Sequence, residues 1–101
     1  MTDMTVASTI LQQLGGKRFV VMTGAKNFVG GENFLSFQIK GKGKKGSVNK
    51  FKVTLTGTDL YNVEAFYVKA PNFKVVDSAE GLYFDQLQET FTEMTGLYTH
   101  F

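Results

Sequence analysis

The chain of 101 residues contains no cysteine, one histidine and one proline. Without cysteine there is no disulfide, no thiolate nucleophile and no cysteine-based zinc site, and folding is independent of redox compartment. The single histidine, His100, stands beside the C-terminus, where chain ends are usually mobile. With no second histidine it assembles neither a zinc site nor a nucleophile–histidine pair. No apolar run approaches the roughly 18 to 20 residues of a helical membrane span. The opening stretch MTDMTVASTILQQLGG sets an acid, and no positive charge, ahead of its apolar residues, the wrong order for a secretory signal. These absences lead us to expect a soluble cytoplasmic protein that is not an enzyme and carries no metal or cofactor.

What is present argues for a packed fold. The sequence is 43% apolar and has ten phenylalanines, whereas disordered chains are poor in aromatic and β-branched residues. Its length suits a single domain over residues 1–101, with one core. The net charge is only +2, but six of the eleven basic residues (Lys40, Lys42, Lys44, Lys45, Lys50 and Lys52) lie within thirteen positions. Five of the nine acids (Asp77, Glu80, Asp85, Glu89 and Glu93) follow the last lysine, Lys74. A basic tip and an acidic helix are expected.

Periodicity supplies the elements. Ala7, Ile10, Leu11 and Leu14 fall on one helical stripe, with Thr2 or Asp3 as cap and Gly15 and Gly16 as its end. Residues 18–24 (RFVVMTG) are rich in β-formers and read as a strand, followed by a turn over AKNFVGGE. Residues 33–40 alternate, with Leu35, Phe37 and Ile39 on one face. Residues 50–56 alternate likewise, with Phe51, Val53 and Leu55 opposed to Lys50, Lys52, Thr54 and Thr56. A turn at Gly57, Thr58 and Asp59 leads to a strand over 60–69, in which Tyr61, Val63, Ala65 and Tyr67 oppose Leu60, Glu64, Phe66 and Val68. A turn at Ala70, Pro71 and Asn72 leads to a short last strand over 73–76. Ser78 suits a helix N-cap, with Tyr83, Phe84, Leu87, Phe91 and Met94 as the apolar face before Gly96. The expected fold is therefore α+β: a five-stranded antiparallel meander flanked by an N-terminal and a C-terminal amphipathic helix (αβββββα), both helices on one sheet face. No internal repeat and no dividing linker is found.

The motif that carries most chemistry is KGKGKKGSVNK, residues 40–50. Lysines spaced by glycines can follow a polyanion, because glycine lets the backbone approach and each ammonium displaces a counterion from a phosphate. The bland reading is a hairpin tip kept soluble by charge, and a third is a surface for an acidic protein. Phe34, Tyr61, Phe66 and Tyr67 lie in strands near the basic edge, where exposed rings would stack bases, although aromatic residues in a small domain are more often core. Glycines at 24, 30 and 31 and at 41, 43 and 46 approach phosphate-loop spacing, but neither group has the Gly-Lys-Ser/Thr that opens a helix. Asp85, Glu89 and Glu93 recur every four residues as a solvated helix face rather than a cation site, which needs oxygen ligands from more than one segment.

The stretches LGGKRFVVMTGAKNF (14–28) and GLYFDQLQETFTEMTGLYTHF (81–101), with FKVTLTGTDLYNVE between them, resemble small uncharacterised proteins encoded by bacteriophages and integrated mobile elements. The resemblance implies a bacterial host cytoplasm and contributes no site residues. In both MTGAKNF and TGLYT a glycine follows a threonine where an element ends, consistent with left-handed caps or turns that only glycine adopts cheaply. The functional expectation is an accessory protein that binds DNA or RNA, or a nucleic-acid complex, through Lys40, Lys42, Lys44, Lys45, Lys50 and Lys52. Its alternative is a protein–protein module that inhibits or adapts a host machine. An exposed sheet edge leaves pairing with a second copy open.

Overall fold

Apolar side chains recur every second residue through the middle of the chain and every third or fourth at its ends, and the two periods meet in one core. The computed structural model describes residues 5–97. Within them two helices, α1 (Thr5–Leu14) and α2 (Gly16–Thr23), precede β1 (Lys26–Gly30), β2 (Phe34–Gly43), β3 (Gly46–Leu55), β4 (Tyr61–Lys69) and β5 (Asn72–Leu82). A 3₁₀ turn (Phe84–Gln86) then leads into α3 (Leu87–Thr95). The strands pair antiparallel in the order β1-β2-β3-β4-β5, the meander expected from the sequence.

Leu35, Phe37, Phe51, Val53, Tyr61, Val63 and Ala65 are buried on one face of the sheet. Ala7, Ile10 and Leu14 of α1 and Leu87, Phe91 and Met94 of α3 join them in the same cluster, so the helices cover that face. Its centre is aromatic: Phe19, Phe37, Phe51 and Phe91 are 0–1% exposed. Phe91 meets Phe19 at 5.1 Å and Phe51 at 5.0 Å between centroids, both edge-to-face, the geometry that ring quadrupoles favour. One ring comes from each of α2, β2, β3 and α3, so these elements share a single aromatic contact.

The expected strand over 18–24 is instead helix α2. Residues such as Val20 and Val21 cost a helix only tenths of a kcal/mol, and the helical period is what places Phe19 and Thr23 inside while Val21 stays 71% exposed. The segment read as a turn, AKNFVGGE, holds β1, and the chain turns only after Gly30. β1 carries a bulge between Lys26 and Val29, at which Asn27 takes φ 55°, a left-handed conformation asparagine tolerates. The last strand runs to Leu82, so Ser78 lies in β5 and caps no helix. Tyr83 and Phe84 are 62% and 61% exposed and do not join the apolar face of α3. The Thr2 or Asp3 cap and His100 fall outside the described residues.

Helices α2 and α3 end in the same six-residue pattern, Phe-x-x-Met-Thr-Gly, at 19–24 and 91–96, a short recurrence in a chain where no internal repeat is expected. Gly24 and Gly96 have φ 69° and 71°, so of the caps or turns expected at these glycines both are left-handed helix caps. Each threonine hydroxyl donates to the carbonyl four residues back (Thr23 to Phe19, Thr95 to Phe91, both 2.8 Å). Each also accepts the amide two residues on (Ala25 and Leu97, both 3.2 Å). The hydroxyl thus engages both backbone groups around the cap, which permits burial of Thr95 at 0% exposure.

Candidate nucleic-acid interface

The second face of the sheet carries the alternate residues, and strand register sets them in rows. Lys26, Gln38, Lys50, Phe66 and Val75 pair in turn across all five strands. Val29, Ser36, Lys52, Glu64 and Ser78 form the next row. Paired residues of an antiparallel ladder project on the same side within contact distance, so this face interleaves lysine, amide and aromatic groups. The Lys52 ammonium lies 4.7 Å from the centroid of the Phe34 ring, where the ring quadrupole attracts a cation. Phe66 meets Phe73 at 6.4 Å, and Phe73 is 70% exposed. Of the four rings considered as stacking candidates from sequence, Phe34 and Phe66 lie on this face. Tyr61 is buried in the core, and Tyr67 belongs to the opposite face of β4.

The KGKGKKG segment is not a long loop. Strands β2 and β3 run through it, with Gly43 paired to Gly46 across a two-residue turn of Lys44 and Lys45. The glycines explain its path. A Cβ on Gly41 would overlap the Thr95 carbonyl oxygen, one on Gly43 the Met94 carbonyl oxygen, and one on Gly96 the Lys42 carbonyl oxygen. The hairpin therefore lies directly on the C-terminal end of α3. That end carries the negative pole of the helix dipole, and α3 has no basic residue in its last turn. What meets that end is the backbone of Gly41, Lys42 and Gly43. At the tip, Lys45 Nζ reaches Asp77 Oδ1 at 3.1 Å, and the same oxygen accepts the Ser78 amide at 2.8 Å.

Register divides the six lysines singled out from sequence. Lys50 and Lys52 stand in the two rows of the open face. Lys42 pairs with Ser47, on the side of β2 away from α3. Lys44 is exposed in the turn, and Lys45 is tied to Asp77. Lys40 belongs to a bulge between Gln38 and Gly41. Opposite it Asn49 leaves the alternation: its side-chain amide donates to the Val68 carbonyl and accepts the Val68 amide, both at 2.7 Å. This continues the ladder with a side chain and lets Val48 turn into the core at 1% exposure.

At this bulge lies a cleft of about 580 Å³ whose lining includes Lys26, Lys40 and Lys50, with Gln38, Asn49 and Val68. Lys26 escapes a reading by charge clustering because it lies outside the thirteen-residue run. Only strand pairing brings it into one row with Lys50, across Gln38. A second concavity, of about 780 Å³, is lined by Gln13 of α1 and by Phe84, Asp85, Glu89 and Glu93. The three acids are exposed, and among the described residues no group of three or more histidine or carboxylate side chains is placed to hold a metal ion. No helix of the described residues is long and apolar enough to cross a membrane.

The chain matches no protein-family model, no curated protein and no solved structure.

Proposed function

We propose that this protein binds single-stranded nucleic acid along the open face of its sheet, without sequence readout, in the phage or mobile-element setting that its sequence resemblance implies. The observation that carries the reading is the interleaving on one surface that none of the described helices covers: Lys50 beside Phe66 in one row, and Lys52 over the Phe34 ring. Ammonium groups neutralise phosphates and release counterions, while rings accept any base by stacking. Lys40 and Lys42 extend the basic surface towards the hairpin. Binding is the whole activity in this reading.

Fluorescence anisotropy with single-stranded DNA, RNA and duplex DNA, at low and near-physiological salt, tests it. Single strands are expected to bind with an affinity that falls steeply with salt. Phe66→Ala is expected to weaken that binding by about 1–3 kcal/mol. Absence of binding at low salt would remove the proposal.

A second reading rests on Val68, Phe73 and Val75, which are 41%, 70% and 48% exposed at one end of the same face. An apolar patch of this kind suits a protein partner, as expected of a module that inhibits or adapts a host machine. A stoichiometric partner retained from host lysate after nuclease treatment favours this second reading.

A further inference from the structure

We infer that the cleft at the β2 bulge receives a phosphomonoester, the terminal phosphate of a nucleic-acid strand, in preference to an internal phosphodiester. The inference rests on the proposed reading of the open face and names the part of it that recognises a strand end.

Lys26 and Lys50 pair with Gln38 from its two sides. Paired residues lie about 5 Å apart, so the two lysine Cα atoms flank the cleft at about 10 Å, close enough for both side chains to converge on one group. Lys40 joins them because it stands two residues after Gln38 on the same face of β2, inside the bulge that leaves it outside the ladder pairs. No acid among the described residues lines the cleft, and the one ion pair among them is made by Lys45. Three lysines therefore line one concavity with no acid of the described residues beside them there.

A diester phosphate would bring a single negative charge to this site and leave most of the mutual repulsion in place. A phosphomonoester brings about 1.5 to 2 charges at neutral pH, with three acceptor oxygens. Lysine binds phosphate as a mobile point charge that needs no fixed fork geometry. The remaining groups suit an anion as well. Gln38 Oε1 already accepts from Asn27 Nδ2 at 2.6 Å, so its NH₂ is the part of the amide left to donate. Asn49 is committed on both sides to Val68 and serves as a fixed wall. A volume of about 580 Å³ lies within the range of small-ligand clefts. Phe66 follows Lys50 in the same row, in line to receive the first base beyond the phosphate.

The test uses one short single-stranded oligonucleotide in three forms: unphosphorylated, 5′-phosphorylated and 3′-phosphorylated, with the fluorophore at the other end. One phosphorylated form is expected to bind about fivefold tighter than the unphosphorylated strand, the worth of roughly one further exposed charge pair. That gain should vanish in Lys26→Gln and in Lys40→Gln, while both variants keep the thermal melt of the wild type. Equal affinity for all three forms overturns the inference and leaves the open-face reading standing. If no form binds, the open-face reading fails, and amide chemical shifts on titration with a nucleoside 5′-monophosphate decide the cleft by itself. Shifts centred on Lys26, Lys40 and Lys50 support a phosphomonoester site that takes free nucleotides, and their absence overturns it.

Discussion

The phenol of Tyr61 lies in the core at 5% exposure. Burial pushes its pKa above the ordinary 10.0, the adjacent Asp59 carboxylate adds to the rise, and the Gln13 side chain partly offsets it. A group whose proton is held more tightly in the folded than in the unfolded state contributes fully to stability below the unfolded pKa. Its contribution falls as pH rises through the folded value. The advantage of wild type over Tyr61→Phe in urea unfolding is therefore expected to be constant from pH 7 to 9 and to shrink above pH 10. An advantage that grows in that range would contradict the assignment. This behaviour was only half legible in the sequence. Alternation set Tyr61 with Val63 and Ala65, but the neighbouring Gln13 comes from α1, some fifty residues away along the chain, and only tertiary packing brings it there.

The hairpin and α3 meet as two backbones, carbonyls of one against glycines of the other. The alternation of lysine and glycine from 40 to 46 reads from sequence as flexibility, whereas in the fold the glycines make room for carbonyls of another element. Gly43→Ala would force the Met94 carbonyl away and is expected to cost about 1–3 kcal/mol, as overpacking does, measured as a lowered midpoint of chemical unfolding. An unchanged midpoint would mean that hairpin and helix do not rest on one another. The strands β2, β3 and β4 were legible because each has one dry and one wet face. The residues of α2 were misread because eight positions, rich in valine and phenylalanine, satisfy both periods. Its choice of helix follows from Phe19 reaching the aromatic centre and from the Thr23–Gly24 cap. By sequence α3 starts too early, because Ser78, Asp77 and Glu80 form a plausible cap sequence. Pairing with β4 instead draws those residues into the sheet.

On the scale of the whole molecule the lysines fall into two groups with different surroundings. The tip, with Lys42, Lys44 and Lys45, curls over α3 and is partly tied down through Asp77. Lys50 and Lys52 stand among the rings of the open face. If single strands lie on that face, changing Lys50 and Lys52 to Gln should lower the log–log salt slope of binding by about 1.4, from two phosphates at about 0.7 each. Changing Lys42, Lys44 and Lys45 to Ala should lower it by less. The reverse order would move the contact surface to the tip. Loss of the Lys45–Asp77 pair in the triple variant should itself cost no more than about 1 kcal/mol, because Lys45 is largely exposed.

The sequence by itself determined the class of fold, the meander, the dry faces of the central strands and the glycine caps. Each of these follows from local periodicity or from the conformational freedom of one residue. It also marked the six clustered lysines, because charge density can be counted along a chain. Tertiary structure decided which lysines share a surface with aromatic rings, which one pairs with Asp77, and that Lys26 joins Lys40 and Lys50 around a cleft. Those relations depend on register and on two bulges. A shift of one residue in a strand exchanges its faces, and no local pattern records where the extra residue enters.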